Sequence, residues 1–448
     1  MSVTDPPRDR SRAIDALRSL VRLPTVANRD RSQTDAAVFD EFLAELHARF
    51  PLLHSTLEVT RVDSHGLLAR WPGASAEGPV VLMAHLDVVP VAGDAPWRHP
   101  PFSAEIDDDA IWGRGTLDDK GALVAICEAV ESLLERDFTP ARDVWLSFGC
   151  NEEVDGNAAR AAVSELTRRG VEPWFVLDEG GAIAHDAFPG VGRPIGVVGV
   201  AEKGTTSVEL RVDGRGGHAS TPARRGPTAR IARALDRIDR SPMRPTLPDV
   251  TIEMLERMAP HARAPLGTLL GTARRIRPVV VRALIAAGPE SAAMVRTTFA
   301  LTTLTGAPAL NVIASSATAG VNIRVAVGDT VDEVLAHLTR AIGDKHVTVT
   351  VVERNEPSPV SPCDEAFVLL EDAITEIFPD AVPAPYVMLG ASDARFFTGL
   401  CPRVYRFTPF RMTKSQRESI HSYDEHIGID AFLDGVRWYR LLIERLPA

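Results

Sequence analysis

Five short segments of the sequence combine histidine and carboxylate side chains in patterns suited to metal binding. In chain order they read HLD at 85–87, GRGTLDDKG at 113–121, NEE at 151–153, DEGG at 178–181 and IHSYDEH at 420–426. Imidazole nitrogens and carboxylate oxygens together are ligands that borderline divalent ions such as zinc accept. Each segment alone has a plainer explanation, such as a helix cap at Asp118 or a solvated acidic turn at Glu152 and Glu153. Their recurrence along one chain favours a metal site.

The types of residue also indicate what a pair of ions could do. Two histidines and three carboxylates suit two divalent ions that share one bridging carboxylate. Such a pair acidifies a water molecule and stabilises negative charge on a carbonyl oxygen, while a free carboxylate moves the proton. Because Glu152 and Glu153 are adjacent, one can bind metal while the other faces the substrate. This pattern predicts a metal-assisted hydrolysis at a carbonyl group.

The order of the five segments resembles a known family of metallohydrolases. That family includes aminoacylase, carboxypeptidase G, succinyl-diaminopimelate desuccinylase and carboxypeptidase S, and the resemblance spans nearly the whole chain. The segment MVRTTFALTTLTGAPALNVIASSATAGVNIRVAVGDT at 294–330 is most similar to the carboxypeptidase S branch, which includes N-acyl amino acid hydrolases. The resemblance therefore implies an enzyme that cleaves an amide bond next to a free carboxylate.

The resemblance also implies a role for each residue of the centre. Asp118 would bridge two Zn²⁺ ions per subunit, with Co²⁺ or Mn²⁺ as alternatives. The remaining ligands would be His85 and Asp178 for one ion and Glu153 and His421 for the other. Glu152 would be the general base, and Asp87 would orient the imidazole of His85. A cis peptide bond between Asp118 and Asp119 is expected as well.

Further residues are implied as substrate ligands. His218, in GGHAS at 216–220, matches a histidine that stabilises the oxyanion and that crosses from the partner subunit in relatives. We therefore expect a homodimer, and whether His218 acts in its own subunit or in the partner stays open. Asn311, Arg324 and Gly390 resemble residues that seat a small-molecule substrate, with Arg324 offering a fork to its carboxylate.

The elements that must position these residues alternate between strand and helix over the first 200 residues. GPVVLMAHLDVVP, DVWLSFGC and WFVLDEGG are apolar runs typical of buried strands, and a helix is predicted over 120–136. Three strands that end in histidine or acid place those side chains at one edge of a sheet, where ligands bind in open α/β folds.

A second unit begins near Lys203, where TTSVELRVDG alternates like a half-exposed antiparallel strand. We predict an α/β fold: a mixed-sheet α/β/α catalytic domain over 1–202 and 355–448, with an inserted α+β, ferredoxin-like lid and dimerisation domain over 203–354. The stretch 241–289 is rich in Pro and Arg and lacks a clear period. We interpret it as an irregular insertion whose effect on dimerisation is open.

The composition excludes several classes of partner. A formal net charge of -11 argues against nucleic acid as a main partner, because phosphate binding needs concentrated Lys and Arg. The N-terminal segment lacks the apolar core of a signal peptide, and no apolar run reaches the roughly 20 residues of a membrane span. We expect a cytoplasmic protein that does not bind membranes.

The sequence thus predicts a two-zinc carboxypeptidase, dipeptidase or N-acyl amino acid hydrolase. Two alternatives remain: a narrow deacylase of the aminoacylase or desuccinylase type, and a ligand-binding relative without catalytic turnover. Which acyl group and which amino acid the site accepts depends on the shape of the pocket, which the sequence does not specify.

Overall fold

The computed structural model describes residues 7–188 and 190–448. Its helices are α1 (Pro7–Val21), α2 (Ala36–Arg49), α3 (Pro51–Thr56), α4 (Lys120–Leu134), α5 (Asn157–Arg168), α6 (Pro227–Asp239), α7 (Asp249–Met258), α8 (Leu266–Gly271), α9 (Arg277–Ala287), α10 (Pro289–Ala293), α11 (Val331–Ile342), α12 (Glu365–Ile377), α13 (Lys414–Ser419) and α14 (Ile429–Glu444). Its strands are β1 (Glu58–Val62), β2 (Gly66–Trp71), β3 (Val80–His85), β4 (Glu105–Asp107), β5 (Ala110–Trp112), β6 (Val144–Gly149), β7 (Phe175–Asp178), β8 (Ala182–Ala184), β9 (Ile195–Glu202), β10 (Gly204–Asp213), β11 (Gly217–His218), β12 (Thr298–Thr305), β13 (Val312–Ile313), β14 (Ser316–Val325), β15 (Thr348–Arg354), β16 (Val382–Met388), β17 (Val404–Arg406), β18 (Arg411–Met412) and β19 (His426–Gly428).

A mixed sheet of ten strands organises most of the described chain. The order is β1-β2-β6-β3-β7-β17-β9-β8-β18, and β16 pairs with β9. Its centre is parallel, because β3 runs parallel to both β6 and β7. The carboxyl ends of these three strands therefore meet at the same edge of the sheet. This arrangement confirms the mixed α/β class that the sequence predicts.

Helices cover both faces of this sheet, which is why its central strands are continuous apolar runs. All six residues of β3 are buried, and so are all six of β6. On one face, α4 and α14 pack against each other and share the largest core cluster. On the other face, α5 contributes Ala159, Ala162 and Leu166 to a second cluster. The central strands are thus fixed from both sides.

A second sheet lies later in the chain and is wholly antiparallel, in the order β12-β14-β10-β15. Burial alternates along β14, as it does in a strand with one face in a core and one face open. Helices α6 and α11 cover the buried face, and their side chains form a cluster separate from the clusters of the large sheet. Strand β12 is an edge, and most of its residues are exposed.

The stretch 241–289 differs from the irregular insertion that the sequence predicts, because most of it is helical. Helices α7, α8 and α9 lie within it, and α10 begins at its end. Pro278 and Pro289 stand in the first turns of α9 and α10, where the missing amide hydrogen of proline costs no intrahelical bond. These helices pack on β9 and β16 of the large sheet. The prolines that obscure the pattern in the sequence therefore begin helices.

The boundaries of several elements agree with the predictions. Helix α11 spans Val331–Ile342 as expected, and a capping box between Thr330 and Glu333 fixes its first turn. Helix α4 starts at Lys120 and ends at Leu134, two residues before the predicted end. Across the described ranges, no helix combines the length and the apolar character needed to span a bilayer.

Candidate metal centre

The parallel strands at the centre of the large sheet carry the predicted ligands at their carboxyl ends. Strand β3 ends at His85, and β7 ends at Asp178. Strand β6 ends two residues before Asn151, which opens the turn with Glu152 and Glu153. Because β6 and β7 flank β3, these side chains converge at one edge of the sheet. The fold thus brings together segments that are about 30 to 90 residues apart in the sequence.

Asp118 lies at the middle of this edge, between the two predicted histidines. Its Oδ1 is 2.9 Å from Nε2 of His85, and its Oδ2 is 2.9 Å from Nε2 of His421. The peptide bond between Asp118 and Asp119 is cis, as the resemblance implies. The side chain of Asp119 does not cap helix α4 but accepts a hydrogen bond from the amide of His85 at 3.3 Å. A carboxylate with each oxygen facing a different imidazole has the geometry of a bridge.

Two groups of potential ligands share Asp118. Its Oδ1 side faces His85 and Glu179, whose Oε1 is 3.8 Å from His85 Nε2. Its Oδ2 side faces His421 and Glu153, whose Oε2 is 3.1 Å from His421 Nε2. In each group, the candidate ligand atoms lie within 4.8 Å of one another. His421 also has a φ of 61°, a left-handed conformation that is uncommon for non-glycine residues.

The structure places Glu179 in the position that the sequence assigns to Asp178. The carboxylate of Asp178 is buried and accepts a hydrogen bond from the amide of Ala394 at 2.8 Å, whereas Glu179 faces His85 and Asp118. Adjacent residues at a strand end point in opposite directions, so only one acid of the pair can face the cluster. The sequence pattern alone does not fix which one. In this structure the carboxylate that faces His85 and Asp118 is that of Glu179, whereas the assignment of Asp178 as a ligand stays a prediction.

Asp87 lies beside His85 as expected, but its contacts differ from the prediction. Nδ1 of His85 is 2.9 Å from the main-chain oxygen of Asp87 and 3.6 Å from its carboxylate, which is beyond hydrogen-bond range. The carboxylate instead accepts hydrogen bonds from the amides of Glu152 and Glu153, at 3.2 and 3.1 Å. Asp87 therefore orients the imidazole through its carbonyl and holds the Glu152 turn through its side chain.

Glu425 is a residue of this centre for which the sequence gives no specific role. It is fully buried, and its Oε1 accepts hydrogen bonds from the amides of Gly115, Leu117 and Asp118 at 2.8 to 3.2 Å. Its Oε2 pairs with the buried guanidinium of Arg114. Glu425 thereby anchors the loop that carries Asp118. The acidic run DEH at 424–426 was the available signal, but nothing in it distinguishes Glu425 from its neighbours.

The charges at the centre suit divalent cations. Hydrogen bonds with Asp118 and Glu153 raise the pKa of His421 to about 10. Burial raises the pKa of Asp118, but hydrogen bonds with His421 and His85 outweigh it and hold that pKa far below its usual value. Burial and the charge of Asp118 raise the pKa of Glu179 and of Glu153. Buried carboxylates that repel one another in this way are stabilised when cations neutralise them, so the residues fit a metal pair.

Glu152 lies next to this cluster, together with two more charged residues. Burial raises its pKa well above the usual value, and the neighbouring charge of Asp393 raises it further. The guanidinium of Arg395 is 3.9 Å from its carboxylate. Both carboxylate oxygens of Asp393 are buried without a hydrogen-bond partner among the described residues. A carboxyl group with a raised pKa can exchange a proton near neutral pH, as a general base requires.

The predicted substrate residues fall into two groups. Arg324 is half-buried in β14, donates to Thr205 Oγ1 at 2.9 Å, and its charge interacts with those of Arg395 and Glu152. Gly390 is exposed just beyond β16. His218 and Asn311 lie together elsewhere, because the Asn311 carbonyl accepts the amide of Ala219 at 3.1 Å. Both are exposed, and the imidazole of His218 hydrogen-bonds to the hydroxyl of Ser220 at 2.7 Å.

Comparison with proteins of known sequence finds relatives that match nearly the whole chain. "Probable carboxypeptidase S-like 2" of Dictyostelium discoideum is 34% identical over 421 residues, which cover 93% of this chain and 80% of that protein. The human "N-fatty-acyl-amino acid synthase/hydrolase PM20D1" is 34% identical over 440 residues, covering 96% of this chain and 87% of the human protein.

Solved structures share the fold at lower sequence identity. Human carnosine dipeptidase 1 superposes with a TM-score of 0.71 at 16% identity, covering 97% of this chain and 96% of that one. A Bacillus subtilis protein described as a dinuclear metal-binding peptidase of the M20 family has a TM-score of 0.59 at 13% identity, with 98% of both chains covered. The model of peptidase family M20/M25/M40 matches residues 81–445, and the chain belongs to that family.

Proposed function

We propose that this protein hydrolyses an amide bond next to a free carboxylate, in an N-acyl amino acid or at the C-terminus of a peptide, with two divalent ions at Asp118. The observation that carries the proposal is the position of Asp118, whose two oxygens each lie 2.9 Å from a different histidine. Relatives named carboxypeptidase S-like and N-fatty-acyl-amino acid synthase/hydrolase act on bonds of this kind, as their names state.

The two ions would be held by the two groups of ligands that share Asp118. One group is His85, Asp118 and Glu179, and the other is Asp118, Glu153 and His421. Mixed nitrogen and oxygen ligands favour Zn²⁺, and Co²⁺ or Mn²⁺ fit the same set. When bound, the pair would supply an acidified water molecule and would polarise the substrate carbonyl.

The residues of the chain would move the proton and orient the substrate. Glu152 takes a proton from the attacking water and gives it to the leaving amine, for which its raised pKa is suited. Asp87 keeps Glu152 in place through the hydrogen bond to its amide. Arg324 and Arg395, whose charges lie near Glu152, bind the substrate carboxylate, and Gly390 lies shortly before the 3-10 helix Asp393–Gly399 that carries Arg395.

A homodimer would complete the site. His218 and Asn311 are exposed and lie together, an arrangement suited to reaching the site of a second subunit, where His218 would stabilise the oxyanion. Edge strand β12 exposes Leu301 and Leu304, which are 42% and 60% accessible, and an apolar edge of this kind is suited to pairing with another copy. We infer that His218 acts in the partner subunit.

We infer the domain division 1–202, 203–354 and 355–448, with the central part as a lid. The separate core of the four-stranded sheet supports it, although the helices of 241–289 pack on the large sheet. Residues 1–6 of the first part lie outside the described residues. The cytoplasmic location stays a prediction.

The test is hydrolysis of a panel of dipeptides and N-acyl amino acids by zinc-loaded protein, with chelated protein beside it. We expect cleavage that the chelator abolishes and that added zinc restores. A Glu152→Gln variant should keep its metal and lose turnover. Absence of cleavage across the panel while two ions remain bound would contradict the proposal and would favour a ligand-binding protein.

A further inference from the structure

The chain passes from the large sheet to the four-stranded sheet within a few residues. Strand β9 ends at Glu202 and β10 begins at Gly204, and we call residues 202–205 the junction segment. The amide of Lys203 donates to the carbonyl of Met388, the last residue of β16, at 3.0 Å. Its Nζ donates to two main-chain carbonyls at and just after the end of α10, at 2.9 and 2.8 Å. The junction segment is therefore fixed to both β16 and α10.

Glu202 connects the junction segment to the residues that carry Arg395. Glu202 is 2% exposed, and its Oε2 accepts hydrogen bonds from Nε of Arg406 at 2.9 Å and from the amide of Ser392 at 3.3 Å. The carbonyl of Ser392 in turn accepts a hydrogen bond from Nη1 of Arg395 at 2.7 Å. The position of the Arg395 guanidinium therefore depends on Ser392, and that of Ser392 depends on Glu202.

Thr205 holds the second arginine from the other end of the junction segment. It lies directly opposite Arg324 in the pairing of β10 with β14, and its hydroxyl accepts a hydrogen bond from Nη1 of Arg324 at 2.9 Å. The next residue, Thr206, points to the opposite face of the sheet. Its buried hydroxyl has no hydrogen-bond partner within residues 7–188 and 190–448. Of these two adjacent threonines, Thr205 is therefore the one that restrains a guanidinium.

The two guanidinium groups lie close enough for their charges to interact. Burial lowers the pKa of Arg324, the charge of Glu353 opposes this shift, and the charge of Arg395 adds to it. Two cationic groups held near each other repel, and an anion that binds both of them stabilises the pair. Nε of Arg395 is also buried without an acceptor among the described residues. A pair of guanidinium groups with an unused donor suits a carboxylate.

The two arginines belong to different sheets, so their spacing depends on how the sheets are joined. Arg395 lies in the 3-10 helix Asp393–Gly399, which packs on the large sheet, whereas Arg324 lies in the four-stranded sheet. We propose that Glu202 and Thr205 are positioning residues that set the spacing of the two guanidinium groups and thereby the selectivity for a substrate with a free carboxylate. The inference rests on the proposed function.

The experiment compares a substrate with its uncharged counterpart. The substrate is the dipeptide or N-acyl amino acid that the zinc-loaded wild type cleaves fastest, and its C-terminal amide serves as a competitive inhibitor. Thr205→Val removes the hydroxyl at nearly constant volume, so we expect KM of the substrate to rise roughly tenfold. Because this interaction concerns binding of the carboxylate alone, kcat and the Ki of the amide should change less than about twofold.

Two controls accompany this variant. Thr205→Ser keeps the hydroxyl and should restore the wild-type KM. Thr206→Val makes the same change one residue later in the same strand, where the hydroxyl has no partner among the described residues. It should therefore leave both KM and Ki unchanged.

A second set of variants tests the role of Glu202. Glu202→Gln weakens the acceptor for the amide of Ser392 and should also raise KM roughly tenfold without changing the Ki of the amide. Glu202→Asp keeps the charge opposite Arg406 but draws the carboxylate back from Ser392, so it should give the same shift if Glu202→Gln does not fold. In an Arg395→Ala background neither substitution should raise KM further, because the group through which Glu202 acts is absent.

Each outcome separates this inference from the function on which it rests. Equal weakening of the substrate and its amide, or equal effects of Thr205→Val and Thr206→Val, would show a purely structural role and overturn the inference. Additive effects of Glu202→Gln and Arg395→Ala on KM would overturn it as well. Failure of the wild type to cleave any dipeptide or N-acyl amino acid would contradict the proposed function itself.

Discussion

Replacing Glu425 by Gln removes the negative charge that pairs with the buried guanidinium of Arg114. Glu425 is 0% exposed and its partner Arg114 is 2% exposed, so neither group is stabilised by water. The amide oxygen of Gln can still accept hydrogen bonds from the loop of Asp118, but its NH₂ group would face the guanidinium donor. Loss of one partner of a buried ion pair costs about 3–5 kcal/mol, and we expect a decrease of this size in the free energy of unfolding.

Urea unfolding of chelated protein, followed by tryptophan fluorescence, measures this loss without the added stabilisation from bound metal. The control is Glu418→Gln, the same substitution in an exposed pair with Lys414 at 3.6 Å, where we expect less than about 1 kcal/mol. Because Glu425 anchors the amide of Asp118, the variant should also bind zinc roughly 10- to 100-fold more weakly. Equal effects of the two substitutions on stability and on zinc affinity would refute this reasoning.

Three further predictions concern the centre itself. Glu152→Gln should lower kcat by about 10²–10⁴-fold at unchanged metal content, measured by steady-state kinetics and elemental analysis, because it removes the proton acceptor but no ligand. Glu179→Ala should lose one of two bound ions in elemental analysis, whereas Asp178→Asn should retain both; the opposite result would restore the assignment made from the sequence. In chelated protein, folding raises the pKa of His421 to about 10, because its imidazolium is paired with Asp118 and Glu153. The charged imidazole therefore stabilises the folded state fully at a pH below the pKa of the unfolded state, and this stabilisation is lost as the pH rises through about 10. The difference in stability between wild type and His421→Gln should therefore shrink from pH 6.5 to pH 10, and a difference independent of pH would contradict this.

The sequence suffices to predict the parts of the site that follow from local patterns. His85 ends an apolar strand, and strand ends of a parallel sheet converge, so its meeting with the turn at Glu152 and Glu153 is predictable. His421 is 303 residues away from Asp118 in the sequence, and its role as a ligand is predicted from the family resemblance. The choice between Asp178 and Glu179 depends on where β7 stops, and a shift of one residue reverses the direction of both side chains.

Other features depend on contacts that no local pattern reports. The role of Glu425 comes from hydrogen bonds to amides more than 300 residues earlier, and any acid in its segment has the same local signature. Similarly, α8 and α9 show no clear amphipathic period, because they are short and have prolines at their starts. The packing of the helices of 241–289 on β9 and β16 is a contact between distant parts of the sequence, so it is seen only in the folded chain.

The central claim is that Asp118 bridges two metal ions. Anomalous diffraction from crystals grown with zinc tests it most directly, because it locates each ion independently of activity. We predict two peaks per chain, roughly 3.5–4 Å apart, one beside His85 and Glu179 and the other beside Glu153 and His421. A single peak, or two peaks that do not both contact Asp118, would contradict the account.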